Sequence, residues 1–394
     1  TSSTDTYNVG VGHLAGAAVT TGLNNTLVGG LAGDAITTGS LNTYLGSNAG
    51  SAATDVDNNT AVGAFAFDAG TGANNTAVGS GALGGSSNSA ADNVAVGKDA
   101  GNAISTGTRN TLIGAEAGDA ITTGTKQTAV GYKALGANTD GVDNTALGDA
   151  ALAADTRGCR TVAIGRDAFA TQNFTTPTDV HSVAVGYAAG QIVSTGDKNT
   201  LIGSTAGDAI TTGSNNTLVG MGTETSSATS GSEIVLGKGT IGMGGYNFTF
   251  GKDNGSDRVY NQFSSNATFT RVSDERYKKE IQTNTDCGLD FINDLRTVTF
   301  KFKAKSDIPD TLPDYDATAT TATHTDKLYG VIAQEVKAAL DTHNITDFGG
   351  HHEDPKTGIQ GVAQSMFIYP LIKAVQELSA KNAALEARIT TLEG

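Results

Sequence analysis

Residues 25–29 read NTLVG, and the same short pattern returns along the chain as NTYLG, NTAVG, NTLIG and NTALG. Its closing glycine recurs at an almost constant interval, since ten of the thirteen spacings are 17 residues and the others are 16, 18 and 21. We call these the phase glycines: Gly12, Gly29, Gly46, Gly63, Gly79, Gly97, Gly114, Gly131, Gly148, Gly165, Gly186, Gly203, Gly220 and Gly237. Repetition at a fixed period indicates a solenoid in which each unit forms one coil. We therefore predict a mainly β protein with a parallel β-roll of 17-residue repeats over residues 1–238.

The residues before each phase glycine follow the pattern of a strand. Val, Leu or Ile stands one residue before the glycine in every unit, and Thr, Val or Ile stands three before it. Two such positions separated by one residue place both side chains on the same face of a strand. The residue four before the glycine is usually Asn, which tolerates left-handed backbone and suits a coil corner where identical amides form a ladder between coils.

Two further positions vary together. Where the residue two before the glycine is large, the residue four after it is glycine, as for Tyr44 and Gly50. Where the first is alanine, the second is large, as for Ala61 and Phe67. Exceptions include Ala95 with Gly101 and Ala184 with Gly190. A nearly constant summed volume predicts that the two side chains share one space in the core.

The composition argues against several classes of function. A net charge of -15, without a cluster of Lys and Arg, disfavours nucleic-acid binding. No apolar run approaches the ~20 residues of a membrane span, so membrane insertion is not expected. Cys159 and Cys287 lie far apart, which favours free thiols over a disulfide. HHED at 351–354 is more typical of a polar loop than of a metal site, and we expect neither a metal nor another cofactor.

The pattern changes twice after the last phase glycine. Residues 239–272 contain alternating aromatic residues in YNFTF at 246–250, which predicts strands of a neck where three chains interlock. From Ser273 onward, Lys, Arg, Glu and aliphatic residues replace Gly, Thr and Ala, so we expect a domain boundary there.

Three motifs define the last part of the chain: SDERYKKEI at 273–281, GVIAQEV at 330–336 and YPLIKAVQEL at 369–378. Together they closely resemble the endosialidase-type intramolecular chaperone, a self-cleaving serine peptidase domain found at the C-terminus of phage tailspikes and tail fibres. The resemblance implies an α+β chaperone domain over residues 273–394. In the repeats, NNTAVG at 58–63 and SVAVG at 182–186 are similar to the head β-roll of trimeric autotransporter adhesins, which implies a trimer.

The resemblance to the chaperone also implies catalytic residues. The family's nucleophile matches Ser273 and its lysine matches Lys278, and the bond that is cut would join Val272 to Ser273. A desolvated, neutral lysine can accept the proton of a serine hydroxyl. Alternatively, Ser273 is the N-cap of a helix with Asp274 in its first turn. Lys279 is the neighbouring competitor for the role of base.

The C-terminal segment, about residues 369–394, has the spacing of a coiled coil. Spacings of four and three residues alternate along a set of positions that we call the seam: Leu371, Val375, Leu378, Asn382, Leu385, Ile389 and Leu392. This heptad pattern predicts a trimerising helix in which Asn382 fixes register and strand number at a cost in stability. The alternative is an amphipathic helix that folds back on its own domain.

These parts together predict the distal portion of a bacteriophage tail fibre or tailspike, made in the host cytoplasm and located in the virion. The expected partners are two further copies of the chain, other tail proteins and a host cell-surface receptor, either a glycan or another outer-membrane component. The chaperone would align three chains and then release itself in a single turnover, without acting on an external substrate. Exposed corners offer receptor contacts, namely Tyr132, Lys133, Arg166 and Tyr187, or Asn173, Phe174, Pro177 and His181 in the longest unit.

Two alternative functions remain open at this stage. A glycan-degrading tailspike needs paired carboxylates, whereas the recurrent Asp34, Asp119 and Asp208 occupy one phase of nearly identical units, as corner caps would. The absence of tryptophan also disfavours sugar stacking. A bacterial trimeric surface adhesin would need a membrane anchor, which the motifs do not predict.

Overall fold

The computed structural model describes residues 5–85, 88–252, 257–262, 266–271, 273–322 and 327–393, without the side chains of 266–271. The chain divides into two compact units, Thr1–Lys278 and Lys279–Gly394. The first unit contains the repeats, and the second contains the helices.

The first unit is a parallel β-solenoid, as the repeats predict. In the described residues, one three-residue strand precedes each phase glycine: Val9–Val11, Thr26–Val28, Thr43–Leu45, Thr60–Val62, Thr76–Val78, Val94–Val96, Thr111–Ile113, Thr128–Val130, Thr145–Leu147, Val162–Ile164, Val183–Val185, Thr200–Ile202, Thr217–Val219 and Ile234–Leu236. Each strand pairs in parallel with the strand one coil ahead, so that Thr26 lies opposite Thr43 and Leu27 opposite Tyr44. Two short strands, Gly158–Cys159 and Thr178–Asp179, form a second parallel pair between the longest unit and the unit before it.

The two faces of these strands differ in burial. The middle residue, two before the phase glycine, is fully buried, as at Leu112, and its neighbours Thr111 and Ile113 are half-buried and exposed. The residues three before and one before the glycine lie on the same face of the strand, as predicted. This face points away from the interior of the coil. We call it the outer strand face.

The predicted sharing of core space is also confirmed. A Cβ atom on Gly50 would lie 2.4 Å from Cε2 of Tyr44, so the tyrosine ring occupies the space that a larger residue would need. One coil ahead, Ala61 leaves room for Phe67, and both are buried. The rings of Tyr44 and Phe67 are neighbours in the core, tilted by 46° with centroids 6.5 Å apart.

A ladder of buried amides joins the coils at the start of most strands. The side-chain oxygen of Asn93 accepts a hydrogen bond from the backbone N–H of Asn110 at 3.0 Å, and the Asn110 amide donates to the carbonyl of Gly124 at 3.0 Å. The predicted ladder is therefore present. The left-handed residue, however, is the one before the asparagine, as at Arg109 with φ +61°. The asparagine itself must keep an extended backbone because it enters the strand.

Three longer strands end the first unit. Asn247–Gly251 continues the ladder parallel to the last solenoid strand, and Arg258–Gln262 and Asn266–Arg271 follow in antiparallel pairing. The strands expected in 239–272 are thus present in the described residues. Their interlocking between three chains remains a prediction.

The second unit is small and mixes helices with short strands. Its helices are α1, α2 and α3, at Leu289–Asn293, Ala333–Thr342 and Ile368–Glu393, and its 3₁₀ helices are Lys305–Asp307 and Gln364–Phe367. Two antiparallel pairs join Val298–Phe300 to Leu328–Gly330 and His351–Glu353 to Gln360–Val362. The core centres on Phe291 of α1, whose ring packs against Phe348 and Phe367.

Within the described residues, every helix is too short or too polar to cross a bilayer. The same residues contain no group of three His, Cys, Asp or Glu side chains placed to hold a metal ion. Cys159 and Cys287 are buried free thiols.

Candidate active site

Ser273 precedes a single turn of 3₁₀ helix, Glu275–Tyr277, at the end of the first unit. The N-cap of this turn is Asp274, whose Oδ1 accepts from the backbone N–H of Arg276 at 2.9 Å. The Asp274 carboxylate also pairs with the Arg276 guanidinium at 2.7 Å, which lowers the pKa of Asp274. The alternative in which Ser273 caps a helix is therefore wrong, because the N-cap is Asp274, whose side chain accepts the backbone hydrogen bond at the start of the turn.

The turn brings Lys278 back to Ser273. The Lys278 Nζ donates a hydrogen bond to the Ser273 Oγ at 2.7 Å, within the range expected of a nucleophile and its base. Lys278 closes the turn through its own N–H, which bonds to the carbonyl of Glu275 at 2.9 Å. Lys279 instead pairs with the carboxylate of Glu280 at 3.6 Å. Of the two adjacent lysines, Lys278 is the one placed to take the serine proton.

The pair lies open to solvent, because both Ser273 and Lys278 are exposed in the single chain. Val272, on the other side of the expected scissile bond, lies outside the described residues. The Asp274 to Arg276 pair that holds the turn was not predicted from the sequence. Its only sequence signal is the DxR spacing at 274–276, which is common in turns.

The seam on α3 is exposed within the second unit. Another side of the helix docks on α1, since Ala374 is buried and the Glu377 carboxylate accepts from the backbone N–H of Leu289 at 2.8 Å. From Leu378 to Glu393 every side chain of the helix is exposed. The seam residues therefore do not fold back onto their own unit, and they leave an uncovered apolar stripe.

One pair of carboxyl groups lies near the end of the solenoid. Glu224 stands four after a phase glycine, where most units carry glycine or a large apolar residue, and its carboxyl group interacts with that of Asp208 in the preceding coil. Burial and the neighbouring Asp208 raise the pKa of Glu224 to about 8. The repulsion between the two carboxylates favours the form in which Glu224 is protonated.

This pair predicts that stability falls as the pH rises. The pKa of Glu224 is about 8 in the folded chain, above its value in the unfolded chain, so the folded state binds the extra proton. The stability that this proton contributes is lost as the pH rises through 8. Because the side chain is only half-buried, we expect a loss of about 1 kcal/mol between pH 6 and pH 9. Thermal unfolding of the unaltered chain and of Glu224→Gln at both pH values measures it. Equal pH dependence of the two proteins would contradict the prediction.

Residues 273–345 match the family model described as chaperone of endosialidase. The match begins at Ser273 and includes both Lys278 and the GVIAQEV motif at 330–336. The resemblance inferred from the motifs is thereby confirmed for this segment, which begins within the last residues of the unit that contains the β-solenoid. No curated protein and no solved structure matches the chain.

Proposed function

We propose that this protein is the distal part of a bacteriophage tail fibre or tailspike that attaches to the host. Its C-terminal part acts as an intramolecular chaperone that assembles three chains and then releases itself by cleavage before Ser273. The observation that carries the proposal is the 2.7 Å contact between Lys278 Nζ and Ser273 Oγ at the first residue of the chaperone match.

Two exposed apolar surfaces support a trimer. Along the outer strand face, aliphatic side chains such as Ile113 and Leu147 are 40% and 44% exposed in the single chain. The core behind them consists largely of alanine and glycine, so each roll buries little bulk by itself. The seam of α3 is a second uncovered stripe in the other unit. Contiguous apolar surfaces of this kind are typical of association sites, and a heptad seam selects further copies of the same helix.

Assembly precedes cleavage in this proposal because the single chain leaves the dyad in water. A lysine acts as a base in its neutral form, which desolvation favours because it disfavours the ammonium ion. Neither Ser273 nor Lys278 is covered in the single chain. Neighbouring chains of the trimer supply the cover. Cleavage thus reports that three chains are aligned, and removal of the chaperone makes the assembled state kinetically stable.

The chemistry is a single turnover on the chain itself. The Ser273 hydroxyl adds to the carbonyl carbon of Val272 while Lys278 takes its proton. The peptide C–N bond then breaks, and the amine of Ser273 takes up a proton. Water hydrolyses the resulting ester, which yields a carboxylate at Val272 and restores the hydroxyl. The mature solenoid functions in the virion with other tail proteins. Its longest coil, in which Thr175 to Pro177 are exposed, contacts a glycan or another outer-membrane component.

Expression of the unaltered chain and of Ser273→Ala tests the proposal. We expect two pieces from the unaltered chain, one ending at Val272 and one starting at Ser273, and a whole chain from Ser273→Ala, as read by denaturing gel and intact mass. Lys278→Ala should also remain whole. The matched control Lys279→Ala should be cut like the unaltered chain, because Lys279 faces Glu280. If the unaltered chain stays whole, or if Ser273→Ala is cut, the proposed self-release is wrong.

A further inference from the structure

The solenoid carries its basic residues in one region. Before residue 238, every Lys and Arg lies between Lys98 and Lys198. Most of them occupy the two corners that flank the outer strand face. The entry corner is the exposed, left-handed position five before the phase glycine, and in this region it holds Arg109, Lys126, Asp143, Arg160, His181 and Lys198. The exit corner is formed by the two residues after the phase glycine. Its charged and aromatic residues here are Lys98, Asp99, Glu116, Tyr132, Lys133, Asp149, Arg166, Asp167 and Tyr187.

Threefold symmetry brings these two corners together. In a trimer whose outer strand faces point at a common axis, the strands run around that axis in one sense. The end of each strand therefore meets the start of the neighbour's strand, and the exit corner of one chain contacts the entry corner of the next. This step rests on the trimer proposed above.

Only two registers are close enough for contact. The chain rises by about 4.8 Å per coil along the solenoid axis. It passes first the exit corner of one coil, then the entry corner of the next coil, and then the exit corner of that next coil. An entry residue can therefore meet the neighbour's exit residues of the same coil or of the preceding coil.

The charges distinguish the two registers. Pairing with the preceding coil is attractive at four of the six positions: Lys126 with Glu116, Asp143 with Lys133, Arg160 with Asp149, and Lys198 with the ring of Tyr187. Arg109 and His181 instead meet the mixed pairs Lys98 with Asp99 and Arg166 with Asp167. Pairing within the same coil keeps the attraction of Arg109 for Glu116 and places Arg160 beside Asp167 as well as Arg166. It opposes Lys126 to Lys133 and Asp143 to Asp149, however, and like charges in contact are unfavourable.

We propose that these corners form the interface between chains and that their charges set a stagger of one coil. The charged corners select one register between chains, because near-identical coils would otherwise pair equally well in several registers. The coils outside this region carry mainly uncharged corners such as Asn24, Asn58 and Asn215. The inference also moves Tyr132, Lys133, Arg166 and Tyr187 from the receptor surface to the interface.

Asp149 and Arg160 provide the sharpest test. Both are exposed, so their substitution leaves the core unchanged. Within one chain they lie at opposite ends of the outer strand face, whose three-residue strand alone spans about 10 Å. Any mutual compensation between them must therefore act between chains. Arg160 also pairs with Asp179 of its own chain, but that loss is common to the single and double variants and cancels in a double-mutant cycle.

The experiment compares the full chain with Asp149→Arg, Arg160→Asp and the double variant, by sedimentation equilibrium at low salt and at 1 M NaCl. Each single variant should weaken the trimer, and the double variant should recover it. We expect a coupling of about three-fold per contact, as for an exposed ion pair, and roughly thirty-fold over the three contacts. High salt should remove the coupling.

The outcomes separate the two proposals. If Asp149→Arg strengthens the trimer, the same-coil register holds, because the substitution relieves the repulsion from Asp143. If the double variant does not recover, the stagger of one coil is wrong while the trimer stands. If the unaltered chain sediments as a monomer, the proposed trimer itself fails, and the stagger fails with it.

Discussion

Replacing Leu378 and Leu385 with glutamate should leave the chain monomeric and, as a consequence, uncut before Ser273. Both leucines lie on the seam and are 48% and 54% exposed in the single chain, and neither belongs to the core of the second unit. In a three-stranded coiled coil, each would place three carboxylates at the axis of the bundle. Burial of unpaired charge costs about 3 kcal/mol or more per layer, which is enough to abolish association at micromolar concentration.

The matched control adds the same charges away from the seam. Ala380 and Ala387 are exposed on the same helix, two residues beyond each substituted leucine, and both fall at the outermost heptad position. The variant with Ala380→Glu and Ala387→Glu should therefore assemble and cleave like the unaltered chain. Sedimentation and a denaturing gel distinguish the results. If the variant with Leu378→Glu and Leu385→Glu is monomeric but still cleaves, the dyad does not need assembly. If that variant remains trimeric, the seam is not the aligning element.

The sequence predicted the solenoid in detail because each physical constraint recurs once per coil. A strand position, a buried amide and a shared core volume each appear as a repeated residue type at one phase. The conformation of the corner was predicted less well. Asparagine four before the phase glycine suggested a left-handed residue, but the structure places that conformation one residue earlier, as at Asn24 with φ +57°. The Asn25 amide bonds to neighbouring coils, so its backbone follows the strand.

Two of the units that break the pairing of large with small residues show that core packing also depends on neighbouring coils. Gly101 follows Ala95, and both are small, yet the space is not empty. A Cβ on Gly101 would lie 2.8 Å from Leu112 of the next coil and 3.0 Å from Leu83 of the preceding coil. Gly190 is enclosed in the same way by large side chains of both neighbouring coils. The core is filled along the axis as well as within each coil, and alignment of the units one by one does not show this.

The candidate active site was accessible from the sequence only through its resemblance to a family. Ser273 and Lys278 are five residues apart, and that spacing alone does not distinguish Lys278 from Lys279. The distinction depends on the turn that Asp274 caps, which points one lysine at the hydroxyl and the other at Glu280. Local capping of this kind depends on backbone angles that a five-residue pattern does not specify.

Replacing Gly50 with leucine should destabilise the solenoid strongly, and the further replacement of Tyr44 with alanine should restore most of the loss. The corresponding position four after the phase glycine holds Leu135 with φ +57°, close to the +59° of Gly50, so the backbone accepts leucine there. The obstacle is the Tyr44 ring, which would lie 2.4 Å from a Cβ on Gly50. Leucine in that space costs about 3 kcal/mol through overpacking.

The Tyr44→Ala variant alone should also be unstable, by about 3 to 5 kcal/mol, because it leaves a cavity where a fully buried ring stood. The double variant reproduces the alanine and leucine pair of Ala129 and Leu135, both of which are fully buried in their own coil. The free energies of unfolding from denaturant titration should therefore be far from additive, with the double variant closer to the unaltered chain than either single one. Additive losses would mean that the two positions do not share one space, and that the pairing of large and small residues has another origin.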